Sequence, residues 1–176
     1  MTMRISTHCK THIKFYEGLR TTAYKCPAGV WTIGYGHTRN VTAGMIITEA
    51  QADRLFDTDI AAYENTVERM LRADEIEVTQ CQFDALVSMA YNLGPKALYN
   101  LPNNTMTKLW KALKAHKPYS CAYEFLSFNK AGGVELKGLT ARRETESKMF
   151  LGLDGVAMSG SEWKAYLKSK ALDEVK

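Results

Sequence analysis

Residues Phe15 to Thr38 read F-Y-E-G-L-R-T-T-A-Y-K-C-P-A-G-V-W-T-I-G-Y-G-H-T, and this stretch changes character halfway. Its first residues complete a helical pattern: Ser6 or Thr7 can cap a helix running to about Leu19, with Ile13, Tyr16 and Leu19 spaced by three and Phe15 beside them. Gly18 and the polar run Arg20 to Thr22 end that pattern. From Ala23 to Thr38, Val30, Trp31, Ile33 and Tyr35 are strand formers, and Pro27-Ala28-Gly29 supplies a turn, which predicts a hairpin or small sheet. Gly34 and Gly36 flank Tyr35 at period two; glycine weakens a strand, so the pair predicts close approach by a ligand or another backbone.

Outward from this stretch the chain is helical. Thr48 with Gln51 is a capping-box signature, followed by Ala52, Leu55, Phe56, Tyr63, Val67, Met70 and Leu71 at three-four spacing. This is one long helix to about Arg72, or two helices breaking near Asp57-Thr58-Asp59. Thr79 with Gln82 caps a helix that Gly94-Pro95 stops. Further helices are expected from Thr105 through Leu113, over about Ser120 to Leu126, from Thr140 to about Leu151 and from Glu162 to Lys170, with Lys130 to Lys137 a loop. The fold class is therefore α+β, mostly helical.

At 176 residues and 19.8 kDa the chain fits one domain, or two small lobes sharing a core. With 45% hydrophobic and 24% charged residues it is an ordinary globular composition, not a disordered one. No stretch approaches the roughly 20 apolar residues of a membrane span. The segment Met1 to Tyr16 has no apolar core of a signal peptide, so the expectation is a chain held in the cytoplasm until released, or one whose export segment has been removed. Four cysteines are too few for a disulfide scaffold; Cys9, Cys81 and Cys121 fall at helical positions, as core thiols or occasional disulfide partners.

The net charge of +4 is unevenly spread. Residues 1 to 48 hold six Lys/Arg against one carboxylate, Glu17, a net of +5; the remainder holds 17 basic and 18 acidic groups, a net of −1. A basic segment attracts polyanions, and a solvated basic face is the ordinary alternative. Neither explains the lone acid. Glu17 closes the first helix, Cys26 follows nine positions later on the first strand or at the turn, and Thr32 six positions after that on the returning strand. A helix end facing a hairpin brings such side chains to one concave surface, and Tyr24, Trp31 and Tyr35 add aromatic faces of the kind that stack on sugar rings.

Here the residues resemble the N-terminal signature of phage-type lysozymes, the endolysins of glycoside hydrolase family 24, which carry Glu, then Asp or Cys nine positions on, then Thr six further. Glu17, Cys26 and Thr32 match that spacing. V-T-Q-C-Q-F-D-A-L-V-S-M-A-Y-N-L-G (78 to 94) and F-N-K-A-G-G-V-E-L-K-G-L-T-A-R-R-E-T-E (128 to 146) agree as well, so the resemblance covers about residues 12 to 153. It implies a domain over 1–153, with an N-terminal lobe of about 12–60 bearing the small sheet, a helical lobe of about 60–153 and a long helix joining them; 154–176 is a C-terminal extension.

The resemblance also implies the chemistry: hydrolysis of the β-1,4 bond between N-acetylmuramic acid and N-acetylglucosamine in peptidoglycan. Glu17 then donates the proton to the leaving oxygen, and Thr32 hydrogen-bonds the attacking water. Cys26 departs from the Asp pattern; a thiol with an unperturbed pKa of about 8.5 is a poorer base, leaving thiolate base, nucleophile or water-positioning group as open roles. Arg142, with Arg143 as fallback, corresponds to the family's basic position that approaches the acid across the cleft, while Tyr35 and His37 follow the signature strand and are expected along the cleft. His8 and His12 share a helix face but lack further ligands, and neither metal nor cofactor is expected. The expected partner is peptidoglycan, met by a monomer with no integral membrane segment and no nucleic acid, with a holin-type release system if the chain waits in the host cytoplasm before acting on the wall in the periplasm. Two other readings stay open: a lytic transglycosylase on the same bond, and a catalytically silent wall-binding module.

Overall fold

A computed structural model describes residues 2–100 and 105–175. Helix α1 (Thr7–Glu17) starts at Ser6, whose hydroxyl accepts from the Cys9 amide, and stops at Gly18, where φ is +69°. Strands β1 (Arg20–Lys25) and β2 (Trp31–Gly34) pair antiparallel in the register Arg20↔Gly34, Tyr24↔Thr32 and Lys25↔Trp31, with an irregularity between Arg20 and Tyr24. The expected hairpin is present, and Gly29 at φ +77° closes its turn with a 2.7 Å bond from its amide to the Cys26 carbonyl.

One 25-residue helix, α2 (Glu49–Ala73), settles the question of a break near Asp57. The Thr48–Gln51 capping box is formed, and Ala52, Phe56, Ile60, Val67 and Leu71 make a continuous buried stripe. At about 1.5 Å per residue the helix is long enough to run from the sheet into the helical part of the molecule, and it packs against both β2 and α3 (Gln80–Leu93). Helix α3, capped by the Thr79–Gln82 box and ended at Gly94, is buried along most of its length and forms the centre of the core.

Around α3 lie α4 (Lys96–Tyr99), α5 (Lys108–Lys114), α6 (Pro118–Phe125), the two-residue strands β3 (Lys130–Ala131) and β4 (Val134–Glu135), α7 (Lys137–Phe150) and α8 (Gly160–Asp173). The observed mostly helical α+β fold is the class expected. Three local details differ from the sequence-based expectation. Thr107, not Thr105, caps α5, accepting from the Trp110 amide at 3.1 Å and donating to the Leu98 carbonyl. The expected loop at 130–137 is a hairpin plus the first helical residue, because Gly132 and Gly133 both take positive φ (57° and 82°), the pairing that closes a tight two-residue turn. Helix α8 starts at a third capping box, Ser159–Glu162, and seats Trp163 and Leu167 in the core, with the Trp163 indole donating to the Ser147 hydroxyl at 3.1 Å. Just beyond α8, Glu174 accepts from the Tyr119 and Ser120 amides at 2.8 Å each, capping α6, which begins at a proline and has no side-chain cap of its own.

Candidate active site

The end of α1 and the end of β2 converge. Glu17 is the last residue of α1, and its side chain is 22% exposed. Gly36, just past β2, has φ +100°, and a Cβ there would stand 3.8 Å from Glu17 Oε2 and 3.9 Å from the Tyr91 hydroxyl. Of the expected glycine pair, Gly34 has a backbone neighbour, with its Cβ position 3.6 Å from the Ala52 Cα, whereas Gly36 has only side chains at ordinary contact distance, the acid among them. Glu17, Gly36, Thr38, Asp59, Tyr63 and Tyr91 line a cleft of about 340 Å³.

Arg142 reaches Glu17 from α7: its Nη1 donates to Glu17 Oε1 at 2.7 Å, while the guanidinium lies 5.4 Å from the Tyr16 ring. The first-choice arginine thus meets the acid across the cleft. Arg143, the fallback, is fully buried and donates instead to Asn92 (3.0 Å) and Glu146 (3.1 Å). Burial pushes the Tyr91 phenol well above its ordinary pKa, with the Glu17 carboxylate adding to that; burial followed by Asp59 and Glu17 does the same at Tyr63. Both hydroxyls stay neutral, and that of Tyr91 donates to the Tyr35 carbonyl at 2.7 Å.

Cys26 and Thr32 meet across the hairpin turn. A hydrogen bond from the Val30 backbone, followed by contributions from Ala28 and the Thr32 hydroxyl, holds the Cys26 thiol below its ordinary pKa despite an opposing contribution from burial. Thr32 is buried, and its hydroxyl donates to the Val30 carbonyl at 3.1 Å beside the Cys26 thiol. Thr32 and Gly34 share a face of β2, so this pair sits on the strand that leads to the Glu17 contact at Gly36.

Two expected cleft residues do not offer their side chains there. Tyr35 is buried: its ring packs edge-on to Phe56 at 5.8 Å under the Lys14 ammonium, and its hydroxyl bonds Asp53, because the chain turns after β2 with Gly34 and Gly36 at positive φ (66° and 100°), which directs it into the core. The His37 ring is likewise buried, its Nδ1 2.7 Å from Asp59 Oδ2 and its Nε2 2.8 Å from the Arg39 carbonyl, so both nitrogens are engaged in holding the loop to α2. The histidine pair on α1 splits: His8 is exposed beside Asp154, whereas His12 is nearly buried with Nε2 3.9 Å from Glu146. Among the described residues no group of three or more His, Cys, Asp or Glu side chains is placed to hold a metal ion. All four cysteines are free thiols, Cys9 and Cys121 buried and Cys81 exposed.

The basic N-terminal segment is largely answered by acids. Arg4 pairs with Glu64, Lys10 with Asp57, Lys14 with Asp53 and Arg39 with Asp59, at 2.7 to 3.0 Å, and all four acids lie on α2. Arg20 and Lys25 instead lie over the rings of Tyr24 and Trp31, at 5.7 and 5.4 Å. Sequence reasoning also missed Asp59, Tyr63 and Tyr91 as cleft residues and Glu146 as a buried acid. For Glu146 a signal existed in the spacing R-R-x-x-E, which puts both arginines within one helical turn of it.

A family model described as phage lysozyme matches residues 14–146. The endolysin of Bacillus phage B103 is 41% identical over 152 residues, covering 85% of this chain and 54% of that protein. The endolysin of Acyrthosiphon pisum secondary endosymbiont phage 1 is 36% identical over 152 residues, covering 84% of this chain and 98% of that one. The chain thus spans about half the length of the first relative and nearly all of the second. Among solved structures, the active form of P1 phage endolysin Lyz superposes with a TM-score of 0.74 at 29% identity, covering 89% of each chain. Among the described residues no helix is long and apolar enough to cross a membrane.

Proposed function

Since this chain belongs to the phage lysozyme family, we propose that it is a muramidase, hydrolysing the β-1,4 bond between N-acetylmuramic acid and N-acetylglucosamine in bacterial peptidoglycan and so lysing the cell wall, with Glu17 as its proton donor. The observation that carries the assignment of Glu17 is its position: a partly buried carboxylate at a helix end, bordering a cleft of about 340 Å³ and held by Arg142 at 2.7 Å. In the reaction the Glu17 proton passes to the leaving glycosidic oxygen as the bond to the anomeric carbon breaks. A water adds its hydroxyl to that carbon and gives up its proton to solvent, from which the Glu17 carboxylate is reprotonated for the next turnover. Thr32 and Cys26 hold that water, a role supported by their shared hydrogen-bond cluster at Val30. Arg142 stabilises the carboxylate that Glu17 becomes after donation.

An arginine on the acid favours its charged form, while donation needs the protonated one. Desolvation by a bound sugar supplies the opposing influence at the moment of reaction. The lack of a second carboxylate at position 26 favours one other reading, a lytic transglycosylase in which a sugar hydroxyl replaces water. Its partner is peptidoglycan and its site of action the wall, which it reaches as a monomer either through a holin-type release system, if it waits in the host cytoplasm, or by way of an export segment outside this sequence.

Turbidity clearing of a peptidoglycan suspension by Glu17→Gln tests the assignment. The variant keeps the helix end and its size, so a folded protein with clearing lowered by at least about a hundredfold is expected, the scale of lost general-acid catalysis. Clearing at the wild-type rate removes Glu17 from the mechanism.

A further inference from the structure

Behind Arg142 lies a charged cluster that the reaction as written does not use. Glu146, one turn along α7, is fully buried. Its Oε1 accepts from the Ser88 hydroxyl at 2.6 Å, from Arg143 Nη2 at 3.1 Å and from Arg142 Nε at 3.2 Å, while Oε2 lies 3.0 Å from Arg143 Nε. Burial is the strongest influence on this carboxyl and pushes its pKa up, but His12, the two arginines and Ser88 together outweigh it and leave the group below the usual range. It is an anion in the core.

We propose that Glu146 is a positioning residue for the acid: by clamping the Nε edge of Arg142 and offsetting its charge, it fixes where Glu17 points and how readily Glu17 holds its proton. The inference rests on the reading of Glu17 as proton donor.

A guanidinium is a rigid plane with a fixed fork of donors. With Nε anchored on Glu146 and the plane resting on Tyr16 at 5.4 Å, Nη1 has one direction left, and Glu17 Oε1 stands there at 2.7 Å. Without the anchor, Arg142 would keep only Glu17, a long 3.5 Å bond to the Ser88 carbonyl and the Tyr16 ring, and the Arg142–Glu17 pair could swing together. The anchor is itself fixed to α3 through Ser88 and, by way of Arg143, through Asn92.

The electrostatic part follows from counting charges. Arg142 and Arg143 both carry positive charge into the protein beside one cleft acid, and Glu146 is the buried anion between them. The groups facing Glu17 are Arg142 from α7, Tyr91 from α3, Tyr63 and Asp59 from α2, Arg39 from the loop before α2, where it pairs with Asp59, and Tyr16 from its own helix; His12 faces Glu146 rather than Glu17. Removing the charge of Glu146 leaves the rest of this set in place and makes the potential at Glu17 more positive. A more positive potential favours the carboxylate, so the acid loses its proton at a lower pH.

The test is initial-rate kinetics of wild type, Glu146→Gln, the pair variant Arg143→Met with Glu146→Met, and Glu17→Gln on a soluble peptidoglycan fragment, with kcat and KM taken across pH. Glu146→Gln is expected to lower kcat about ten- to a hundredfold with KM little changed, the cost of a misplaced catalytic group. Its alkaline limb should move to lower pH. Should Glu146→Gln fail to fold, the pair variant decides, since it removes one buried charge of each sign and apolar replacements of buried ion pairs generally fold. It should lose rate to a similar extent while keeping its alkaline limb, because net charge is unchanged. Folded Glu146 variants with wild-type kcat and pH profile overturn the inference while Glu17→Gln remains inactive; an active Glu17→Gln overturns the reading beneath it.

Discussion

Cys26 is the residue at which this chain departs from the simplest carboxylate chemistry, and its surroundings sharpen the alternatives. The Val30 backbone bond, with Ala28 and Thr32 behind it, lowers the thiol pKa, so thiolate is present nearer neutrality than in an ordinary cysteine. If thiolate is required, activity climbs as pH rises through that lowered value, and Cys26→Ser is nearly dead because a hydroxyl does not ionise there. If the residue holds water together with Thr32, Cys26→Ser keeps part of the activity and Cys26→Asp keeps most of it or gains. We expect the second pattern when rates are measured from about pH 5 to 9, a range bracketing carboxyl and thiol behaviour; an inactive but folded Cys26→Asp would favour covalent thiolate chemistry. The spacing of Glu17, Cys26 and Thr32 was open to reading because a helix end and a hairpin convert sequence distance into proximity. The places of Tyr35 and His37 were not, because a positive φ at each flanking glycine decides which way those side chains turn. The burial of Glu146 was hidden too, since R-R-x-x-E reads equally well as a solvated helix face and only α1 and α3 bury it.

At the scale of elements, the ends of α2 and α3 could be placed from sequence because a capping box is a local event: Thr48 and Thr79 each bond a backbone amide three residues away. The β3–β4 hairpin was less legible because strands of two residues carry no alternation, and the start of α7 because Leu136 provides no side-chain cap. Helix α8 rests on tertiary burial, its Trp163 packed beside Tyr166 and under the Lys148 ammonium. Trp163→Ala should cost about 3–5 kcal/mol in urea unfolding, as expected for a large core aromatic, while a loss under about 1 kcal/mol would mean α8 is not part of the cooperative core. A different device holds α2 to α5. Asp74 accepts from Lys114 at 2.6 Å and from the Trp110 indole at 2.7 Å, and these bonds, Lys114 foremost, depress its carboxyl pKa. A depressed acid contributes stability that is fully present above the unfolded value of about 3.9 and is lost as pH falls through the folded one. The thermal midpoint should therefore fall below about pH 4, and Asp74→Asn should start less stable and show a shallower fall; parallel curves would assign the acid sensitivity to other groups.

Over the whole molecule, the charge asymmetry of the sequence becomes an internal bond. Four of the six N-terminal cations pair with acids on α2, so the +5 segment is not a bare basic face. What remains for long-range attraction to anionic wall polymer is the overall +4 and the Arg20 and Lys25 side chains beside the hairpin aromatics. Activity on intact walls should accordingly fall between low salt and about 0.3 M more than cleavage of a small neutral oligosaccharide does, and Lys25→Gln should narrow the gap. Equal salt sensitivity on both substrates would point to the fold or the cleft instead. The central claim, that water cleaves the muramyl bond with Glu17 as donor, is tested most directly by mass spectrometry of muropeptides released by wild type and by Glu17→Gln. The account predicts hydrated, reducing-end products from wild type and none from Glu17→Gln. Wild-type products lighter by about 18 Da, the mass of the missing water, or hydrated products from the variant at the wild-type rate, would contradict it.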